Sequence, residues 1–116
     1  MTIVYIGHQS LKAYVADTEI TREKGLGDIE SLPSDEAMLF MFDVPERYGF
    51  WMKDMRFPID IFWIDWLGRV VFIKESVLPS SYPETFIPNV PAKYVLETNV
   101  GFAHENRVKI GDEISF

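Results

Sequence analysis

The sequence contains no cysteine among its 116 residues. Disulfides, zinc sites built on thiolates and cysteine nucleophiles are therefore excluded, and cysteine usage gives no indication of the compartment. The two histidines, His8 and His104, lie far apart and form no His-x-x-x-His pair. The chain also has no Gly-x-Ser-x-Gly segment and no glycine-rich run after a strand. Hydrolysis by a nucleophilic serine and nucleotide binding through a glycine-rich loop are not expected.

Positive charge is scarce as well. The chain has 11 Lys and Arg residues against 18 Asp and Glu residues, which gives a net charge of −7. No run of Lys or Arg offers a local exception. Because a surface of this sign repels phosphate backbones, nucleic acid is not expected as a partner.

Long hydrophobic runs are missing too. Charged residues interrupt every apolar run before it reaches the roughly 20 residues that a membrane crossing needs. The first seven residues, MTIVYIG, have no basic segment and too short an apolar part for a signal peptide. We therefore expect no membrane span and a cytoplasmic location.

The stretch 50–73, FWMKDMRFPIDIFWIDWLGRVVFI, is the most apolar and aromatic part of the chain and contains all three tryptophans. We interpret it as three strands. The last two, at 59–66 and 69–74, are predicted to form a hairpin because Gly68 can adopt the positive φ that the loop needs. Apolar residues occupy both faces of strand 59–66, which is typical of a strand in the middle of a covered sheet.

The rest of the chain predicts short elements. The pattern indicates strands at 2–6, 11–16, 38–42, 92–98 and 114–116, a helix ending at Gly25 and a second helix at 100–106. Asp17 or Thr18 is expected to cap the first helix and Asn99 the second. The length fits a single domain, 1–116. The fold class predicted is mostly β, an antiparallel sandwich or barrel of jelly-roll type with two short helices.

Residues 76–91 contain four prolines. Because proline fixes φ and donates no backbone hydrogen bond, this segment is predicted to be neither a regular strand nor a helix. An irregular segment of this length is either a binding loop or a cover over an open sheet edge. Both interpretations stay open.

Trp51 and Lys53 form the first candidate site. If the chain is a strand here, the two side chains share one face and Asp54 lies on the other. A lysine beside an aromatic ring can hold an anion or a sugar, whereas in the alternative Trp51 is core and the Lys53 stem covers it. Tyr82 and Phe86 from the proline-rich segment are expected near this pair.

Glu97 is the second candidate. It lies in a predicted strand just before the helix expected at Asn99, so the free N–H groups of that helix can stabilise its carboxylate. In the functional alternative, Glu97 is a general base or a ligand-binding carboxylate. The structural interpretation is the simpler of the two.

Several carboxylates offer oxygen ligands for a hard cation. The candidates are Asp54, Asp60, Asp65, Glu75 and Glu97. No short segment spaces them as a calcium-binding loop does. Asp60 interrupts the apolar face of its strand, and an inward aspartate at a strand start usually bonds backbone amides. No metal site and no cofactor are therefore expected.

A series of short blocks in a fixed order resembles a known family. The blocks are Val15-Ala16-Asp17-Thr18, Gly25-Leu26, Met38-Leu39-Phe40-Met41-Phe42, Phe50-Trp51-Met52-Lys53, Pro58-Ile59-Asp60-Ile61, Ile64-Asp65, Gly68-Arg69-Val70, Tyr94-Val95-Leu96-Glu97, Gly101-Phe102-Ala103 and Val108-Lys109-Ile110-Gly111-Asp112. Their order is similar to that of the bacterial and archaeal family catalogued as domain of unknown function one hundred and ninety-two. The resemblance implies a mostly β domain of jelly-roll or barrel type, often behind a signal peptide, with no established activity.

The chain departs from the pattern of that family at three places. Gly27-Asp28-Ile29 replaces a usual Met-Phe-Arg, Asp54 replaces a usual Asn, and Asn106-Arg107 replaces a usual His-Gly. A site that used the Arg or the Asn of the pattern is therefore in doubt in this chain.

Composition and resemblance together predict a non-catalytic module that binds a small polar ligand, for example a saccharide. The residues predicted to contact the ligand are Trp51, Lys53, Asp54, Asp60, Tyr82 and Glu97. One alternative is a hydrolase that pairs Glu97 with Asp60 or Asp54, as two-carboxylate hydrolysis requires. Another is a module that binds a protein partner, or a second copy of itself, along a sheet edge.

Overall fold

The chain forms seven strands and two short helices in a computed structural model that describes all 116 residues. The elements are β1 Thr2–Ile6, β2 Gln9–Ala16, α1 Glu19–Lys24, β3 Glu36–Glu46, β4 Ile59–Ile64, β5 Val70–Val77, a 3-10 turn Pro79–Ser81, β6 Ala92–Asn99, α2 Phe102–Glu105 and β7 Ile114–Ser115. The prediction of a mostly β fold with two short helices is confirmed. No helix has the length and apolar character that crossing a membrane requires.

All seven strands belong to one sheet in the order β5-β4-β6-β3-β2-β1-β7. Neighbouring strands are antiparallel except β2 and β3, which are parallel, so the sheet is mixed. The sheet curls into a half-barrel whose two edges meet at one end. There the Ile114 N–H donates to the Gly68 carbonyl at 2.7 Å and the Val70 N–H donates to the Asp112 carbonyl at 2.9 Å.

Strand β4 lies inside the sheet between β5 and β6, and all six of its residues are buried. Alternate side chains enter two different cores. Phe62 and Ile64 belong to a cluster that also contains Leu96, whereas Ile61 and Trp63 pack with a second cluster around Phe40. The prediction that this strand is apolar on both faces and lies inside the sheet is confirmed.

The hairpin between β4 and β5 also forms as predicted. Gly68 has a φ of 86°, and its N–H donates to the Asp65 carbonyl at 3.0 Å. The Asp65 carboxylate accepts further bonds from the N–H groups of Leu67 and Arg69. A short acidic side chain and a glycine thus determine this turn.

The predicted strand at Phe50 and beyond is wrong. Phe50 forms a single bridge with Phe86, and the residues that follow it up to β4 belong to no strand. The chain turns instead, because Asp54 has a φ of 61° and the Met55 N–H donates to the Met52 carbonyl at 3.1 Å. Met52 is nevertheless buried, so the apolar pattern here reflects core packing and not strand pairing.

The helix caps match the prediction at one helix only. Thr18 caps α1, where its hydroxyl accepts from the Thr21 N–H at 3.1 Å. The predicted cap of α2 is wrong, since Gly101 holds that position with a φ of 93°. Asn99 ends β6, and its side-chain amide donates to the Leu32 carbonyl at 2.6 Å. The proline-rich segment is irregular apart from its 3-10 turn, as predicted.

Candidate functional site

A cavity of about 280 Å³ opens between α1, β3 and the irregular segment before β4. Five aromatic residues contribute to its wall: Phe40, Phe42, Tyr48, Phe50 and Trp51. Ligand pockets in proteins are commonly concave, lined mainly by apolar and aromatic groups, and of roughly 300–1,000 Å³. The cavity is slightly smaller than this range.

Contacts among the aromatic rings hold this wall in place. Tyr48 stacks on Phe42 with ring centroids 3.6 Å apart, and Phe50 meets the edge of Phe40 at 4.9 Å. The indole N–H of Trp63 donates to the Tyr48 carbonyl at 2.9 Å, which ties the irregular segment to β4. These contacts fix the positions of the rings within the protein itself.

Glu97 provides a carboxyl group at the base of the cavity. It lies in β6 directly between Met38 of β3 and Ile61 of β4, and only 4% of its surface is exposed. Both flanking residues are apolar. Every fully enclosed side-chain nitrogen or oxygen atom in the protein has a hydrogen-bond partner. Since no group donates to Glu97, its oxygens must reach the open volume of the cavity.

Burial raises the pKa of Glu97 from 4.5 to about 8. The cause is desolvation alone, because taking a carboxylate out of water disfavours its charged form and no neighbouring cation or donor offsets the cost. At neutral pH the group is therefore mainly a neutral acid, which can donate a hydrogen bond. The interpretation in which a helix N-terminus stabilises the Glu97 carboxylate is wrong.

Asp60, and not Glu97, accepts a hydrogen bond from an N–H group of the helix that follows β6. Its carboxylate receives the Ala103 N–H of α2 at 3.0 Å and the Ser76 N–H at 2.9 Å. Asp60 is completely buried on the opposite face of the sheet from Glu97, because it pairs with Thr98 while Ile61 pairs with Glu97. The expectation that an inward Asp60 bonds backbone amides is confirmed, and the residue does not reach the cavity.

The structure brings Trp51 and Lys53 to the cavity together with Glu97. The Lys53 ammonium lies 5.9 Å from the centroid of the Trp51 ring. Tyr82 packs on Trp51 at 5.1 Å without lining the cavity, and Asp54 lines an adjoining depression that shares Trp51 and Lys53.

Phe86 supports the wall from behind. Its N–H donates to the Phe50 carbonyl at 2.7 Å, and the Phe50 N–H donates to the Phe86 carbonyl at 2.9 Å. The proline-rich segment thus covers the cavity wall and fixes Phe50 in position.

The sequence interpretation missed the contribution of α1 and β3. Arg22 of α1 donates to the Met41 carbonyl at 2.9 Å and lies 5.0 Å from the Phe42 ring centroid. Phe40 and Phe42 occupy alternate positions in β3, so their shared face was the signal that pointed to an aromatic wall. The carboxylates considered for a hard cation do not converge, and no group of three acidic or histidine side chains forms a cluster able to hold a metal ion.

Family comparison agrees with the resemblance seen in the sequence. The model of DUF192, described as Uncharacterized ACR, matches residues 2–116 of the chain. The chain belongs to this family.

Individual proteins are similar to this chain over most of its length. A UPF0127 protein from Thermococcus gammatolerans is 32% identical over 115 residues, which cover 97% of this chain and 69% of the relative. The crystal structure of a protein of unknown function from Novosphingobium aromaticivorans matches with a TM-score of 0.93 and 28% identity, over 99% of this chain and 84% of that one. A Sinorhizobium meliloti protein described as a candidate transcription regulator matches with a TM-score of 0.91 and 27% identity, over 97% of this chain and 90% of that one.

Two of the departures from the DUF192 pattern meet in space. The Asp28 N–H donates to the Asp54 carbonyl at 2.8 Å, and both residues have a positive φ. Gly27 precedes Asp28 where a Cβ atom would come within 2.9 Å of the Lys24 carbonyl. Both departures therefore lie at the depression next to the cavity, and neither belongs to the aromatic wall.

Proposed function

We propose that the protein binds a small polar ligand in the cavity above Glu97. The observation that carries the proposal is the buried Glu97 carboxyl group, which has no partner within the protein and faces open volume. A buried polar group without a partner costs stability, so such groups commonly serve a ligand or a reaction. In the proposed complex, the ligand is the hydrogen-bond partner that Glu97 lacks in the free protein.

The walls suit a ligand with both apolar and polar surface. Trp51 and Tyr48 offer aromatic surface, while Glu97 and Lys53 offer polar groups. A saccharide has this combination, because its C–H groups pack on aromatic rings and its hydroxyls form hydrogen bonds. This is the ligand class expected from the sequence.

A two-carboxylate hydrolase has less support. Glu97 and Asp60 lie on opposite faces of the sheet, and the Asp60 carboxylate is already bonded to two backbone N–H groups. Asp54 lies in the adjoining depression and not in the cavity. The pairs that the sequence suggested therefore do not share one cleft, as paired acid and base carboxylates must.

Binding of a protein along a sheet edge also has less support. The two edge regions of the half-barrel already contact each other through the bridge between Arg69 and Glu113. An edge whose backbone groups are partly satisfied is a poorer template for an additional strand.

A thermal-shift screen tests the binding proposal. The wild-type protein and the variants Trp51→Ala and Trp66→Ala are screened against monosaccharides, oligosaccharides, organic acids, amines and nucleotides. Trp66 is the matched control, because it is 66% exposed in the turn after β4 and does not line the cavity. A ligand that binds the native state raises the melting temperature in a saturable way.

We expect at least one class to stabilise the wild type and Trp66→Ala but not Trp51→Ala. A screen without any saturable shift contradicts the proposal. So does a ligand whose effect survives Trp51→Ala unchanged.

A further inference from the structure

The cavity contains cationic side chains, yet none of them pairs with Glu97. Arg22 is held by the Met41 carbonyl and the Phe42 ring, and Lys53 lies over Trp51. Lys24 also lines the cavity without forming an ion pair, since the two ion pairs of the protein join Lys12 to Asp35 and Lys109 to Asp112. Glu97 is therefore a buried carboxyl group without an ion-pair partner, and a bound cation could become that partner.

The charges at the mouth of the cavity nearly cancel. Glu19 and Glu23 of α1 face the same opening as Lys24 and Lys53, so two carboxylates offset two ammonium groups. Arg22 adds a third positive charge, because its hydrogen bond to the neutral Met41 carbonyl does not cancel that charge. Ionised Glu97 supplies the third carboxylate of the lining, and the aromatic rings add negative potential deep in the cavity.

The rings favour a positive charge. The face of an aromatic ring carries a negative electrostatic potential, and a cation within about 6 Å of a ring centroid is attracted to it. Arg22 and Lys53 already adopt this geometry at the edge of the cavity, at 5.0 Å from Phe42 and 5.9 Å from Trp51. The net charge of −7 on the whole chain also attracts cations over a longer range.

We infer that the cavity binds a small organic ammonium ion whose N–H groups donate to the Glu97 carboxylate and whose alkyl part contacts the aromatic wall. The inference rests on the proposed function and specifies its ligand class. An ammonium with N–H donors suits the site better than a quaternary cation, because the Glu97 oxygens lack hydrogen-bond donors as well as a counter-charge. The cavity volume of about 280 Å³ limits the ligand to a small amine.

Binding of an amine has a consequence for protons. The free protein holds a proton on Glu97 at pH 7, since burial raises its pKa to about 8, whereas an adjacent ammonium favours the carboxylate. Association at pH 7 therefore releases about 0.9 proton, and association at pH 9.5 releases almost none. Below pH 8 the affinity for the amine increases by up to about tenfold for each unit by which the pH is raised.

Other ionisable groups around the cavity do not produce this behaviour. They are Glu19, Arg22, Glu23, Lys24, Tyr48 and Lys53, and no histidine is among them. Burial raises the pKa of the Tyr48 hydroxyl, which moves its titration further above neutrality. The residues beside Glu97 on the neighbouring strands, Met38 and Ile61, do not titrate. Proton release near neutral pH therefore reports on Glu97.

Isothermal titration calorimetry tests the inference with three probes of one shape: butylamine, butanol and butyrate. Titrations at pH 7 in two buffers of different ionisation enthalpy give the number of protons released. The wild type, Glu97→Gln and the control Glu84→Gln are compared, because Glu84 is exposed and does not line the cavity. We expect butylamine to bind the wild type and the control at least tenfold more tightly than butanol, with release of about 0.9 proton. Glu97→Gln is expected to lose at least tenfold in affinity for the amine.

Several outcomes overturn the inference. Butanol or butyrate binding as tightly as butylamine contradicts it, and so does amine binding to the wild type without proton release, which needs no variant. If none of the three probes binds while the thermal-shift screen finds a stabilising sugar or acid, the ammonium inference fails and the proposed function stands. If neither experiment finds a ligand, both fail.

Discussion

Asp60 and Glu97 lie on adjacent strands of one sheet, yet their carboxyl groups project from opposite faces. Asp60 pairs with Thr98, and the next residue, Ile61, pairs with Glu97. Both carboxyl groups are buried, but Asp60 receives two backbone N–H bonds and Glu97 receives none. Two acidic residues of similar exposure thus have different roles. One stabilises the fold, and the other faces a cavity.

Glu97→Gln should change the pH dependence of stability. The folded-state pKa of about 8 is higher than the ordinary value of 4.5, so between these values the unfolded chain binds fewer protons than the native protein. Stability therefore falls as pH rises from about 4.5 to 8 and then levels off, by at most about 5 kcal/mol. A glutamine stays neutral, so the variant should lose most of this slope and be the more stable protein at pH 9.

Urea denaturation at pH 5, 7 and 9 measures the effect. Glu84→Gln is a suitable control, because Glu84 is exposed and should keep the slope of the wild type. Equal slopes in the wild type and Glu97→Gln would show that Glu97 does not carry the buried proton.

Asp60→Asn should destabilise the protein at neutral pH. An asparagine has one side-chain acceptor oxygen, so either the Ala103 N–H or the Ser76 N–H would face an NH₂ group. Loss of a buried acceptor in this position costs about 2–4 kcal/mol. The free energy of unfolding from urea titrations checks this value, with Asp43→Asn on the exposed part of β3 as control. A loss below about 1 kcal/mol would contradict the structural role.

Gly68→Ala should cost more stability than Gly7→Ala. Both glycines have a positive φ, of 86° and 61°, so an alanine is strained at either position. At Gly68 a Cβ atom would also lie 2.7 Å from the Ile114 carbonyl oxygen, whereas nothing lies within 4 Å at Gly7. We expect about 1 kcal/mol for Gly7→Ala and at least about 2 kcal/mol for Gly68→Ala. Equal losses would show that the contact between the β4–β5 turn and β7 is not close.

Thr18→Ala should loosen α1 without unfolding the sheet. The Thr18 hydroxyl accepts from the Thr21 N–H, and the Thr21 hydroxyl donates back to the Thr18 carbonyl. Loss of an N-cap costs about 1 kcal/mol, and α1 buries no residue that compensates. Hydrogen exchange should become faster for α1 amides and stay unchanged for those of β4. Unchanged exchange in α1 would indicate that packing, and not the cap, holds this wall of the cavity.

The sequence was sufficient to predict elements whose signals are local. The run from Ile59 to Ile64 is apolar on both faces, and Gly68 follows it where the chain must turn, so strand and hairpin were both predictable. Thr18 with the helix that ends at Gly25 is an equally local signal. The strand, the hairpin and the helix cap are each specified by residues only a few positions apart in the sequence.

Features that depend on distant partners were not predictable. The parallel pairing of β2 with β3 joins Lys12 to Glu36, and no local signal specifies it. The aromatic run beginning at Phe50 resembles a strand, but its side chains fill a core and a cavity wall. Glu97 was expected beside a helix because the helix is near in sequence. Strand alternation instead directs it to the other face, where only the folded structure shows the absence of a partner.

The central claim is that Glu97 is an unpaired carboxyl group in an open cavity. An NMR titration of the side-chain carboxyl carbons of the free protein from pH 4 to 10, with the Glu97 signal assigned by its loss in Glu97→Gln, measures this most directly. The structure predicts a midpoint at about 8 for Glu97. A midpoint near 4.5 would show that the carboxylate is hydrated or paired within the protein, and it would contradict the account of the site.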